Sequence, residues 1–158
     1  MGLDAVVHCD CFERGRLRTP PRPEWGVRVD EECGRSPTTS HLDEQMAFDA
    51  WNSTACEHED GLLLHHRLGN IALIALLRML LNPHADRLPV IVKKIIYSGT
   101  HAGDFLSLEA VEQFALEIEF LAGVHDEDRR NEKFIRHFER QLRELVDCSR
   151  KVGKPIVF

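Results

Sequence analysis

"LLLHHRLGNIALIALLRMLL" (Leu62–Leu81) is the stretch on which the fold turns. It is apolar nearly all round, and its interruptions are His65, His66, Arg67, Asn70 and Arg78. A helix without a polar face belongs in the middle of a domain, so the run predicts one buried central helix. Asn82-Pro83 ends it, because proline disfavours helical geometry in the residue before it. The polar interruptions exclude a membrane span.

Downstream, "LPVIVKKIIYS" (Leu88–Ser98) is β-branched and flanked by Pro89 and Gly99, which predicts the strongest strand of the chain. "SLEAVEQFALEIEFLAG" predicts an amphipathic helix, with Ser107 as cap and Gly123 as stop. Its stripe is Leu108, Val111, Ala115, Ile118 and Ala122. A second such helix is expected from about Asp126 to Cys148, with Phe134, Phe138, Leu142 and Leu145 along its apolar line. "KPIVF" reads as a short terminal strand.

Upstream, "LDAVVHCDCF" (Leu3–Phe12) is β-rich. Period-two alternation sends Val7, Cys9 and Cys11 to one face and Val6, His8 and Asp10 to the other. Prolines at 20, 21, 23 and 37 and glycines at 15, 26 and 34 keep about 13–39 irregular. Within that segment Gly26–Val29 suits a short strand pairing back on the first. Ser40 with Asp43 resembles a capping box that opens a helix, with Leu42, Met46, Ala50 and Ala47, Trp51 as its stripe. The expected fold is α+β, a single domain over 1–158 with about four helices packed on a small sheet of three to four strands.

The 158 residues are enough to bury about two-thirds of the unfolded surface without a staple. Lys plus Arg number 20 against 26 Asp plus Glu, so the chain is acidic by six charges. Such a surplus offers no general attraction for nucleic acid or an anionic membrane, whereas it suits a basic partner. No export signal is visible, and the five cysteines are odd in number and irregularly spaced. A cytoplasmic protein with reduced, buried thiols is expected.

Two clusters carry candidate chemistry. "ACEHEDG" (Ala55–Gly61), taken with Cys9 and Cys11, offers Cys9, Cys11, Cys56 and His58 as a Cys₃His metal site. The one-residue spacing of each pair is a weak match to the usual two to four, so core thiols and no cofactor are expected. Glu57, Glu59 and Asp60 read as solvated acids ahead of a helix. His65 and His66, as helix neighbours, point about 100° apart and cannot share a ligand. The second cluster is "YSGTHAGDFLSLEA" (Tyr97–Ala110), where His101 and Asp104 are spaced as a base and its orienting carboxylate, or as a tight turn at a helix start. Phosphate-loop, dinucleotide, HExxH and serine-elbow patterns are absent.

"MGLD", "CDCFERGRL", "ACEHEDG", "HRLGNIALI" and "YSGTHAGD", in that order, resemble a family of small bacterial cytosolic proteins. That family is itself similar to the immunity proteins of polymorphic (contact-dependent or type VI) toxin systems. The resemblance runs over most of the chain and implies an enzymatically inert protein that neutralises a cognate toxin by occluding its active site. The acidic stretches Asp30, Glu31, Glu32 and Glu57, Glu59, Asp60 would then face a basic cleft, with the 14–39 segment as a shape-specific loop and His101 and Asp104 as further contacts. The alternatives are a metal-binding protein or hydrolase-type enzyme using Cys56, His58, His66, His101, Cys9 and Cys11, or an interaction module without a toxin partner.

Overall fold

The computed structural model describes residues 2–30, 34–39 and 41–158. β1 (Gly2–His8) alternates as its sequence demands, burying Leu3, Ala5 and Val7 and leaving Gly2, Asp4, Val6 and His8 half-exposed. β2 (Arg28–Asp30) and β3 (Gly34–Ser36) form an antiparallel hairpin of their own, so the expected pairing of Gly26–Val29 with the first strand does not occur. α1 (Leu42–Asn52) follows. It buries Phe48 and half-buries Ala47 and Trp51 of the expected stripe, while Leu42, Met46 and Ala50 of that stripe are exposed. The Ser40 cap lies outside the described residues.

The Leu62–Leu81 run is two elements, not one helix. β4 (Leu62–Asn70) pairs antiparallel with β1 from His8↔Leu62 to Gly2↔Asn70, and α2 (Ile71–Leu81) begins only after it. Asn70 is the hinge, accepting the Leu73 N–H on its side-chain oxygen at 2.9 Å as an N-cap. A strand and a helix laid end to end produce an all-round apolar run, which periodicity alone cannot tell from one buried helix.

Leu88–Ser98 is not a strand. Ile91–Ile95 wind as a π-helical turn. Glu117 drives this, because its buried carboxylate accepts the Val90 and Ile91 N–H groups, each at 2.9 Å. Leu88, Ile91, Val92, Ile95 and Ile96 are buried, while the adjacent Lys93 and Lys94 are both exposed. A strand sends neighbouring side chains to opposite faces, so a pair of neighbouring exposed lysines fits a helical turn instead.

β5 (Phe105–Leu106), α3 (Leu108–Leu121), α4 (Arg129–Val152) and β6 (Ile156–Val157) complete the chain. α3 turns Val111, Phe114, Glu117, Ile118 and Leu121 inward, with Leu108 outside that stripe. The main sheet runs β4-β1-β6-β5, antiparallel throughout, with the terminal strand as an interior member. α4 packs on β1, β4 and β6 and against α3, and α2 packs on β1 and β4. The architecture is α+β, a four-stranded sheet with a separate two-stranded hairpin. No helix among the described residues is long and apolar enough to cross a membrane.

Between the adjacent strands β1 and β4 the chain makes a long excursion, leaving at Cys9 and returning at Gly61, where the Cys9 N–H donates to the Gly61 carbonyl at 2.8 Å. The excursion holds both tryptophans of the chain. Trp25, Phe48 and Trp51 form an aromatic triangle with ring centroids 5.5–6.0 Å apart. Trp25 and Phe48 are buried, yet neither belongs to the continuous apolar core built from β1, α2, α3 and α4. The excursion has a small aromatic core of its own.

Candidate metal centre

The point where the excursion leaves and rejoins the sheet carries the site. Cys9 and Cys11 extend the alternation of β1, so both face inward and are buried while Asp10 is half-exposed. Cys56 and His58 are on the returning arm, just ahead of a tight turn in which Asp60 (φ 53°) and Gly61 (φ 70°) are both left-handed. Arg35 of β3 packs across Gly61, where any side chain would collide with the guanidinium. The Cys9–Gly61 hydrogen bond sets the two arms in register.

The sulfurs of Cys9, Cys11 and Cys56 and a ring nitrogen of His58 all lie within 4.8 Å of one another. Cys9 and Cys56 Sγ are 3.8 Å apart, and Cys11 Sγ is 3.3 Å from His58 Nδ1. A tetrahedron with Zn–S bonds of about 2.3 Å has an S···S edge of about 3.8 Å, and its S···N edge is about 3.5 Å. The donor set and both separations fit a tetrahedral Cys₃His zinc site, with His58 ligating through Nδ1. Neither pair is held on a strand: Asp10 and residues 56–58 form bends and Cys11 opens a turn, with His58 itself at extended angles (φ −105°, ψ 121°), and these bends turn the donors of both arms toward one point.

Arg35 supplies the countercharge. Its Nη1 lies 3.6 Å from Cys56 Sγ, and its Nη2 donates to the Asn52 carbonyl at 3.4 Å. Three thiolates around a Zn²⁺ held here would leave about one unit of negative charge, which this guanidinium would offset. Burial pushes the thiols of Cys9 and Cys11 up, Cys11 to about 12, helped by the neighbouring Cys9. At Cys56 burial acts the same way but is outweighed by the His58 backbone and the Arg35 charge, so this thiol lies below its ordinary value. A metal at this site would displace protons from the two buried thiols.

The remaining sequence-predicted residues are elsewhere. His66 Nε2 lies 2.7 Å from Glu144 of α4, and neither His66 nor His101 joins the cysteine cluster. His101 Nδ1 is 3.0 Å from Asp104 Oδ2, and its Nε2 donates to the Ile95 carbonyl at 2.7 Å. Tyr97 stacks on that ring at 4.7 Å and donates its hydroxyl to Asp104 at 2.6 Å, which raises the phenol above its usual value. With Nε2–H directed at a main-chain carbonyl, His101 is a buckle for the 95–104 loop, not a base open to substrate. Asp30 borders a cleft of about 300 Å³ with His8, Ser107 and Lys154. Glu31 and Glu32 lie outside the described residues. Glu57, Glu59 and Asp60 are exposed, and Glu57 is 4.0 Å from the Arg16 guanidinium. Sequence reasoning passed over Arg35, which no spacing connects with the cysteines.

No family model, curated protein or solved structure matches this chain.

Proposed function

We propose that this chain is a zinc-binding protein in which Cys9, Cys11, Cys56 and His58 hold one Zn²⁺, and that the ion fixes the excursion to the sheet. The observation that carries the reading is the convergence of four donor atoms from two arms of chain within 4.8 Å. Four protein ligands close the coordination sphere, which favours an architectural ion over a catalytic one that keeps an open position for water. The need is local. A chain of this length has a sufficient main core, but an excursion of about fifty residues organised around three aromatic rings falls in the size range where metals or disulfides are recruited.

What the fixed excursion does is bind another protein. Leu42 and Met46 project together from α1 at spacing four, both more than 60% exposed. The resemblance to immunity proteins supports a cognate toxin domain as the occupant, met by this apolar pair and by the acidic Glu57, Glu59 and Asp60 beside it in sequence.

The test is elemental analysis and native mass spectrometry of protein produced in zinc-supplemented medium. One zinc per chain is expected, lost in Cys11→Ser and Cys56→Ser. Cobalt substitution should give the intense thiolate-to-metal absorption of a tetrahedral site. Metal-free protein with no cobalt spectrum refutes the proposal.

A further inference from the structure

The four ligands are not equivalent, and their differences give the site a second property. Cys9 and Cys11 are buried, whereas Cys56 is half-exposed with the Arg35 guanidinium 3.6 Å from its sulfur. Cys9 Sγ is its neighbour at 3.8 Å. Closing that gap to a disulfide of about 2.05 Å takes a displacement of under 2 Å. The remaining two ligands, Cys11 and His58, already contact each other at 3.3 Å and need not move. Resting on the zinc reading above, we propose that the centre is a peroxide-responsive switch. Oxidation joins Cys9 to Cys56 and expels the ion.

The steps balance with hydrogen peroxide as oxidant. The Cys56 sulfur attacks one peroxide oxygen and the O–O bond breaks. Cys56 becomes the sulfenic acid, and the departing hydroxide takes a proton from solvent to leave as water. Arg35 donates to the oxygen on which charge develops in this step. The Cys9 sulfur then attacks the Cys56 sulfur, the S–O bond breaks, and the second oxygen leaves as water after one more protonation. Two thiolates, one peroxide and two protons give one disulfide and two waters. Zn²⁺ keeps only Cys11 and His58, too few to retain it against solvent, and departs.

The consequence reaches the surface. Arg35 loses the anionic cluster that it faces, and it is carried on β3 of the β2–β3 hairpin. The disulfide still ties the two arms together, so oxidation releases the hairpin without freeing the whole excursion. Partner binding through this region becomes sensitive to oxidant.

The test treats zinc-loaded protein with hydrogen peroxide beside a colorimetric zinc reporter, followed by mass spectrometry of the intact chain and its peptides. We expect one zinc released per chain, a loss of two hydrogens and a cross-linked pair of peptides containing Cys9 and Cys56. Dithiothreitol with added zinc restores the starting state. Arg35→Ala leaves all four ligands in place and should slow zinc release about tenfold. Cys9→Ser should accumulate a dimedone-reactive Cys56. Zinc that stays bound under peroxide, a disulfide between other cysteines, or Arg35→Ala releasing zinc at the wild-type rate overturns the switch and leaves the structural zinc site standing. Protein that never binds zinc ends both.

Discussion

Removal of the zinc should loosen one part of the molecule far more than the rest, and the two tryptophans report on that part. Both Trp25 and Trp51 lie in the excursion, packed on Phe48 outside the main apolar core. The helices that dominate far-ultraviolet circular dichroism, α3 and α4, belong to that core. The link from Cys9 to Cys56 spans 47 residues. Treating the ion as a cross-link, closure of a loop of that length contributes about 4 kcal/mol through chain entropy. For a chain of 158 residues, about 4 kcal/mol corresponds to a fall in melting temperature of about 10 °C. The perturbation is overnight chelation under reducing conditions, with zinc added back as control. Tryptophan emission should shift to the red at temperatures where the helical signal is still intact, and zinc should reverse both this shift and the loss of Tm. Unchanged emission with a Tm change below about 2 °C would mean that the aromatic triangle holds itself together. The argument for the ion would then fail.

Glu117→Ala strips the acceptor from two buried N–H groups, Val90 and Ile91, and should cost about 2–4 kcal/mol in urea denaturation. Glu117→Gln keeps one acceptor and removes a carboxylate whose pKa burial raises, so its cost should be clearly smaller. Glu132 at the start of α4 accepts the Asp126 N–H and then Arg136, and these hold its carboxyl down at about 2. Its folded value lies below its unfolded one, so its contribution to stability is full above the ordinary value of 4.5 and is lost as pH falls from there towards 2. Acid unfolding of wild type beside Glu132→Gln checks this, and the variant should show the smaller loss of stability across that window. Charge reversal at Glu57, Glu59 and Asp60 should leave the melting temperature within a few degrees, since these side chains are exposed. If a basic toxin domain is the partner, the same reversal should slow its association most at low salt, and co-expression with that toxin should show weaker protection.

Where the sequence was legible, one rule governed the segment. β1 alternates because one face is buried, α4 carries its expected apolar line, and the terminal "KPIVF" pairs as a strand. The two longest misread segments fail for different reasons. In Leu62–Leu81 a strand and a helix are joined at a single capping asparagine, and both are apolar enough to hide the junction. In Leu88–Ser98 the β-branched residues favour a strand intrinsically, but the buried Glu117 of a distant helix takes the two N–H groups a strand would need for its ladder. Tertiary packing overrode propensity there. Only Lys93 and Lys94, exposed side by side, carried the helical signal.

The candidate site was legible as a set of residues but not as a site, and the obstacle was the unit to which the physics was applied. Whether a protein needs a staple depends on the core available to each part that must hold together. Averaged over 158 residues the core suffices, because Leu3, Leu77, Phe114, Phe138 and their neighbours join in one cluster. Divided at Cys9 and Gly61, the balance changes. The main core stops at the sheet, and among the described residues the excursion has little beyond Trp25, Phe48 and Trp51 to oppose the entropy of about fifty residues. The cysteines are placed at that division, two on the leaving arm and one, with the histidine, on the returning arm. Spacing rules drawn from the common metal-binding turns undervalue such pairs, because here the bends at Asp10 and Glu57 bring ligands together across a single residue. A cysteine-x-cysteine just past the end of one strand becomes informative when a cysteine-x-histidine just precedes its partner strand, since antiparallel pairing then brings the two arms together. Here Cys9 opposite Gly61 is that pairing.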